Sequence, residues 1–462
     1  MFLNLDQKPP QSLAAVDDSR VSVTYGDIVS FAGTFGEVLP ERTLIFIMAT
    51  NTVGSLLGYT SCLSNGIVPL VLSAHTEKGL YESLRDLYRP EYLWIPSEME
   101  ADFGYASIYS SYGYSLVRTG LTPPELYSGL ALLLPTSGST GSPKLVRHSY
   151  RNIEANAENV SRMFRITPDF RAMCILPMHY TMGLSVIASH LFSGAALLLC
   201  GKSMLDKRFW SMLREERATI LTGVPYSFEI LSKMRFFRMD LPDLGIITQG
   251  GGRMSDELFR TCAEYADRTG KQFIATYGQT EGTARMAYLP PELALTKTGS
   301  IGIAEPGGQL SIVDDSGAET FDGEATGEMV YRGENVTLGY ATCPEDLMRG
   351  DENHGVLLTG DIARRDADGC YYIIGRMKRF LKIFGLRIGL DEVEHIVKSA
   401  FDTDCLCSGT DDMLTVRITN PDIRDKVLEL IVEKTRLFHK NVEVVCVDRI
   451  ERNEAGKAIL NR

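Results

Sequence analysis

No uninterrupted apolar run in this 462-residue chain approaches the ~18 residues that a membrane span requires. The opening residues, MFLNLDQKPP, have neither a basic start nor a sustained apolar stretch, so no secretory signal is expected. Basic residues are in the minority: 47 Lys and Arg face 59 Asp and Glu, for a net charge of -12. That balance argues against a general nucleic-acid binder, which needs a basic face for phosphates. Paired cysteines are missing too. The nine cysteines are scattered from Cys62 to Cys446, and only Cys405 and Cys407 are close. They lack the second pair or the histidines of a zinc site. Reduced core thiols in a cytoplasmic protein are the expectation. There is no low-complexity block and no internal repeat. With 44% hydrophobic residues, the chain has material for large cores, and its length suits roughly two to four domains.

Short apolar runs alternate with amphipathic stretches. LIFIMA from Leu44, IVPLVL from Ile67, ALLLP from Ala131, MCILP from Met173, AALLLC from Ala195 and GIITQ from Gly245 read as buried strands. Between them lie stretches with helical spacing. In SDELFRTCAEYADRTGK, Ser255 is an N-cap candidate, and Asp256 and Glu257 suit the positive end of the helix dipole. Leu258, Phe259, Cys262, Ala263 and Ala266 form one apolar face, and Gly270 is a C-cap candidate. Strand–helix–strand alternation predicts α/β architecture with parallel sheets. After about residue 300 the texture becomes β-rich, with an Asp368–Gly369 hairpin turn. Beyond Gly375 a small α+β unit is expected, with helices from Asp391 and Ile423 and strands at MLTVRI and VEVVCV.

Three chemically unusual loops follow expected strands: PTSGSTGSPK, GGGR and YGQTEG. In parallel sheets, ligands bind beyond the carboxyl ends of strands. Glycine-rich backbone can turn several amides toward one point, a nest suited to phosphate oxygens. Ser and Thr hydroxyls and Lys144 add donors and charge. Composition alone fits an ordinary surface loop equally well. Known phosphate loops do not match: Gly138 and Gly141 are two residues apart rather than four, and Lys144 is followed by Leu145. The Gly-x-Gly-x-x-Gly of a dinucleotide fold is absent as well.

TSGSTGSPK resembles the phosphate loop of the adenylate-forming superfamily: acyl- and aryl-CoA synthetases, adenylation domains of nonribosomal peptide synthetases, and luciferases. YGQTEG, LTGDIARRDADGCYYIIGR, KRFLKIFGLRIGLDEVE and NEAGKAILNR are similar to later motifs of that family, in the family's order. The resemblance implies a large N-terminal domain of α/β sheets flanked by helices with a β-rich subdomain, residues 1–375. A small mobile α+β C-terminal domain, residues 376–462, would follow.

It also implies roles. Thr136, Ser137, Gly138, Ser139, Thr140, Gly141 and Lys144 would hold ATP phosphates. Thr280 would contact the α-phosphate, and Glu281 would help hold Mg²⁺. Gly251, Gly252 and Arg253 would flank the adenine and Tyr277 would stack on it, with Gly278 and Gln279 also binding the nucleotide, although the family usually has proline where this chain has Arg253. Asp361 would accept the ribose hydroxyls, with Arg376 beside it. Lys378 would be the hinge and Lys457 the ammonium that bridges the acid and the α-phosphate. Basic residues between 376 and 387 are either a solvated face or a seat for the phosphates of coenzyme A or phosphopantetheine.

LPMHYTMGLSV resembles the family's substrate-pocket motif. Tyr180, or His179 if the alignment shifts by one residue, would be the aromatic gate, with Met182, Gly183 and Leu184 on an apolar wall. No acidic residue lies between Leu176 and Val186 to pair with an α-ammonium, so an uncharged aliphatic or aromatic acid is expected. The implied activity is ATP-dependent adenylation of a small carboxylic acid, then transfer to coenzyme A or to a free-standing acyl carrier protein. The alternatives are a ligase with a non-thiol acceptor and a non-catalytic nucleotide-binding relative.

Overall fold

Apolar runs without polar alternation become inner strands. In the computed structural model, which describes residues 1–39, 41–135, 144–377, 379–383, 386–410, 413–452 and 458, Leu44–Ala49 is buried at every position. It pairs in parallel with Val68–Ser73 on one side and Tyr92–Pro96 on the other. Strands buried on both faces need helices above and below, hence their continuous Leu/Ile/Val composition. They lie inside an eight-stranded sheet that also holds Leu130–Pro135, Leu145–Ser149 and Gly339–Ala341. A nine-stranded sheet contains the parallel strands Gln272–Tyr277, Ile246–Gln249, Ile220–Gly223, Arg171–Cys174 and Ala196–Leu199.

The helices Val53–Ser64, Tyr150–Phe164 and Thr181–Ser193 share one core with both sheets: Leu56, Val160 and Leu191 join Ile45 and Leu132 of one sheet and Leu197 and Ile220 of the other. Val53–Ser64 is buried nearly all round, as a helix between two sheets must be. The helix Asp256–Thr269 has the expected caps: the Ser255 side chain accepts from the Leu258 amide, and Gly270 is left-handed.

One expectation changes. The next described strand after Leu130–Pro135, Leu145–Ser149, pairs with it antiparallel rather than parallel, with Pro135 opposite Leu145. LVRHS is buried over most of its length, so its sequence gave no alternation to mark the reversal.

The β-rich region forms an antiparallel five-stranded sheet that includes Gln309–Val313, Ala325–Arg332, Val356–Arg365 and Tyr371–Arg376. Residues beyond it form a three-stranded sheet, Cys405–Thr410, Met413–Ile418 and Val442–Cys446, packed with helices Leu390–Ala400 and Arg424–Thr435 around Val397, Val416 and Ile431. All nine cysteines are free thiols. Burial pushes Cys200 up to about 11 and Cys174 up to about 12. No described helix is long and apolar enough to cross a membrane.

A buried polar cluster joins these layers. Glu305 Oε1 accepts from Asn159 (3.2 Å), Tyr331 (3.0 Å) and Asn335 (2.8 Å). Arg285 Nη1 donates to Ser185 Oγ at 3.1 Å. Glu305 Oε2 has no described partner, and burial raises this acid from an ordinary 4.5 to about 8. The folded state therefore keeps a proton that the unfolded chain releases. Its stabilisation is complete below pH 4.5 and is lost as pH rises toward 8, by about 1.4 kcal/mol per pH unit. Chemical unfolding of wild type should show this downward slope between the two values, and Glu305→Gln should flatten it. Parallel slopes would contradict the assignment.

Candidate active site

The site is built on a stretch of backbone that crosses itself. After the strand Gln272–Tyr277 the chain makes a short turn at Thr280–Gly282 and doubles back. A Cβ at Gly278 would lie 1.3 Å from the carbonyl oxygen of Ala284, so only glycine fits. Thr283 and Ala284 both have positive φ, 51° and 80°. Such conformations cost on the order of 1–3 kcal/mol each and persist only where the surroundings enforce them. Asn335 supplies that enforcement. Its Nδ2 donates to the carbonyls of Gly282 (2.8 Å) and Arg285 (3.2 Å), and its own carbonyl accepts from Thr283 Oγ1 (2.6 Å). The Thr337 amide donates to the Glu281 carbonyl at 3.0 Å.

This turn presents four of the candidate residues. Tyr277 donates its hydroxyl to Asp361 Oδ2, and Gln279 Nε2 donates to the same oxygen at 2.9 Å. Arg376 Nε meets Asp361 Oδ1 at 3.0 Å from the cross-strand position. Asp361 is only 2% exposed, so these donors hold its charge in place of water. Burial, and then the Asp361 charge, push the Tyr277 phenol well above its ordinary range, so it stays a donor. Oδ2 already accepts from two donors, while Oδ1 retains a second lone pair, which suits a ribose hydroxyl.

Thr280 Oγ1 accepts from Thr181 Oγ1 at 3.0 Å, at the start of the helix Thr181–Ser193. Tyr180 is that helix's N-cap, its ring 4.5 Å from that of His179. Met182 lies over the Gly250–Gly251 backbone: a Cβ on Gly250 would come within 2.9 Å of its sulfur. Gly251 has φ +78° and packs against Val224. Leu184 lines a cavity of about 10 Å³ beneath Thr181, room for a single water. Its other walls include Tyr59, Leu132, His148, Ile153 and Thr283, and the surface they turn to the cavity is almost wholly apolar. Burial lowers His148 to about 4, which keeps it neutral at pH 7. Gly183 lines a separate small cleft with Leu176 and Thr222.

Arg253 stands apart from this group. Its guanidinium donates to His395 Nε2 (2.9 Å) and the Ile373 carbonyl (3.5 Å), so it contacts the C-terminal helix Leu390–Ala400. Burial and the Arg253 charge hold His395 below its ordinary range. Gly252 lies against Pro225, whose neighbour Tyr226 carries the Arg452 guanidinium 5.1 Å above its ring.

Thr136, Ser137, Gly138, Ser139, Thr140, Gly141, Lys378 and Lys457 lie outside the described residues. Their described neighbours are informative. Lys144, at the end of the hydroxyl-rich segment, has its Nζ 5.4 Å over the ring of Tyr340, and Tyr340 donates to Glu281 Oε1 at 2.6 Å. Arg452 and Ala458 pair across the segment that holds Lys457. No three carboxylate, imidazole or thiol groups form a metal cage among the described residues. A single carboxylate beside a phosphate-type loop is instead the donor set for a magnesium ion that arrives with a nucleotide, since Mg²⁺ keeps waters and phosphates as its other ligands.

A family model described as AMP-binding enzyme matches residues 106–341, half of the chain. The chain belongs to the AMP-binding enzyme family. It is 32% identical over 275 residues to an indoleacetate–CoA ligase of Aromatoleum aromaticum, covering 59% of this chain and 52% of that one. It therefore spans about half the length of that relative. Against a sulfoacetate–CoA ligase of Cupriavidus necator, identity is 27% over 426 residues, covering 84% and 79%. The fold matches Bacillus subtilis O-succinylbenzoate coenzyme A synthetase in complex with AMP, with TM-score 0.81, 19% identity, and coverage of 99% of this chain and 96% of that one. ATP-bound MatB from Rhodopseudomonas palustris gives TM-score 0.79 and 21% identity, covering 99% and 97%.

Sequence reasoning missed Asn335, Thr337 and Tyr340. A lone Asn or Tyr after a strand carries no motif, and the groups of the turn that they bond are about fifty residues or more away. Replacing Asp361 by Asn removes the charge that Arg376, Tyr277 and Gln279 converge on. A bond to a charged group contributes about 1.5–3 kcal/mol, so calorimetric AMP affinity should fall at least tenfold. Unchanged affinity would remove Asp361 from the nucleotide site.

Proposed function

We propose that this protein activates a small carboxylic acid with ATP and passes the acyl group to a thiol, coenzyme A in the first instance. The observation that carries this reading is the meeting of Tyr277, Gln279, Asp361 and Arg376 in one cluster, with Thr280 and Glu281 on the same turn. That arrangement can seat a sugar at one end and phosphates at the other. The names of the relatives as coenzyme A ligases support the thiol acceptor.

In the first step a carboxylate oxygen of the acid attacks the α-phosphorus, and the bond to pyrophosphate breaks. In the second, the thiol sulfur attacks the acyl carbon, AMP leaves with the bridging oxygen, and the thiol proton passes to solvent. Thr280 holds an α-phosphate oxygen, Lys144 and the 136–141 segment hold the outer phosphates, and Lys457 offsets the charge shared between acid and phosphate. Glu281 holds Mg²⁺, which supplies neutralisation of phosphate charge. Arg376 joins Asp361 at the ribose. Tyr180, Met182, Gly183 and Leu184 bound the acid. No carboxylate between Leu176 and Val186 is available to an α-ammonium, so the substrate lacks one.

Residues 1–375 form the adenylating core, and residues 376–462 turn about Lys378 between the steps. A separate acyl carrier protein is the alternative acceptor. The free, mostly buried thiols fit a reducing compartment, and we assign the protein to the cytoplasm on that ground.

Pyrophosphate release over a panel of carboxylic acids, with and without coenzyme A, tests the reading. Wild type should release pyrophosphate with at least one acid. Lys457→Ala should lower that rate by about a thousandfold, in the range of losing one electrostatic transition-state contact. It should leave ATP affinity and thioester formation from supplied acyl-adenylate intact. No acid-dependent release by wild type would sink the proposal, and a near-normal Lys457→Ala rate would remove that residue's role.

A further inference from the structure

Tyr340 lies where the two candidate nucleotide loops meet, and nothing about its packing explains its side chain. It sits in the edge strand Gly339–Ala341, opposite Val146 and close after the hydroxyl-rich segment. Its backbone is held firmly. The buried Arg147 donates Nε to the Tyr340 carbonyl at 3.0 Å and Nη2 to the Leu338 carbonyl at 3.1 Å. Three residues earlier, the Thr337 amide holds the Glu281 carbonyl. The segment 337–341 is therefore a rigid seam between the strand leaving the phosphate-type loop and the turn carrying Thr280 and Glu281.

The side chain leaves this seam into solvent and is 41% exposed. It nevertheless makes two specific contacts. Its hydroxyl donates to Glu281 Oε1 at 2.6 Å, and its ring face carries Lys144 Nζ at 5.4 Å. A donor to an ionised carboxylate is a strong hydrogen bond, and it selects one rotamer of an otherwise mobile glutamate. It leaves Glu281 Oε2 without a described partner. The ring holds the lysine by cation–π attraction and keeps its charge near the same carboxylate. Burial, then the Glu281 charge, push the Tyr340 phenol above its ordinary range, so it remains a donor near neutral pH.

Resting on the nucleotide reading above, we propose that Tyr340 is a positioning residue that orients Glu281 for its magnesium ion and, through its ring, seats Lys144 for the phosphates. One phenol thereby presets two groups from separate loops, each with a different atom. Metal affinity depends on the hydroxyl, and lysine placement depends on the ring.

The test is calorimetric binding of ATP to the full chain, with Mg²⁺ and with chelator, for wild type, Tyr340→Phe and Tyr340→Leu. Tyr340→Phe keeps the ring. It should bind ATP in chelator as wild type does but lose about tenfold of the gain that Mg²⁺ brings, the scale of one hydrogen bond to a charged group. Tyr340→Leu should show the same Mg²⁺ loss and also weaker binding in chelator. In pyrophosphate release, Tyr340→Phe should raise the half-saturating Mg²⁺ by the same factor with little change in kcat. Melting temperatures should stay close to wild type, because the side chain is part-exposed on an edge strand and its hydroxyl bonds an exposed carboxylate. A Tyr340→Phe protein with wild-type Mg²⁺ dependence overturns the positioning role. Equal chelator affinities for Phe and Leu overturn the Lys144 seat. Failure of wild type to bind ATP at all overturns the nucleotide reading itself, and the wild-type titration shows that before any variant is compared.

Discussion

The candidate site depends on one crossing of backbone over backbone. The Ala284 carbonyl occupies the space where any other residue at position 278 would carry its Cβ. Because the chain can double back there, Tyr277, Gln279, Thr280 and Glu281 lie within one short turn yet engage three separate neighbours: the five-stranded sheet through Asp361, the helix Thr181–Ser193 through Thr181, and the edge strand through Tyr340. The turn is strained at Thr283 and Ala284, and Asn335 compensates by bonding three of its groups. Tyr331 and Glu305 in turn hold Asn335, so the strain is supported by the buried polar cluster between the layers.

The charges in the site are paired with one another. Asp361 is held by Arg376, Tyr277 and Gln279, while Glu281 and Lys144 share Tyr340. Partners made of protein cost little reorganisation when a ligand arrives with matching donors and acceptors, because the side chains already stand in single rotamers. A ribose hydroxyl can add to the open lone pair of Asp361 Oδ1, and phosphates can join Lys144 at its remaining donors. Arg253 makes its described bonds to the Ile373 carbonyl and to His395 of the helix Leu390–Ala400, and His395 can accept it only through an unprotonated nitrogen. The same helix approaches the core near the strand Tyr371–Arg376, where the expected division of the chain falls.

Much of this was legible in the sequence. Buried strands announced themselves as unbroken Leu/Ile/Val runs, and the helix after Ser255 showed its caps and its face. The loops stood out because glycine and hydroxyl residues clustered where a strand ended. What could not be read was anything set by distant pairing. LVRHS carries no local mark of its direction, and only its register with Leu130–Pro135 shows it to be antiparallel. Nothing local in the sequence marks Glu305 and Arg285 as the buried charges that they are. The cavity beneath Thr181 is walled by Tyr59, His148 and Thr283, three segments that meet only after folding. Arg253 was placed at the adenine by resemblance alone, and its partner His395 lies 142 residues away.

The central claim is that the groups on this turn act on one bound ATP at its α-phosphate, joining it to a carboxylate oxygen. Oxygen labelling tests that bond directly. The enzyme is supplied with an accepted acid carrying ¹⁸O in its carboxylate, together with ATP, Mg²⁺ and coenzyme A, and the nucleotide and phosphate products are weighed by mass spectrometry. The account predicts AMP carrying one ¹⁸O atom and unlabelled pyrophosphate. Label in inorganic phosphate with ADP as the nucleotide product, or unlabelled AMP, would contradict it.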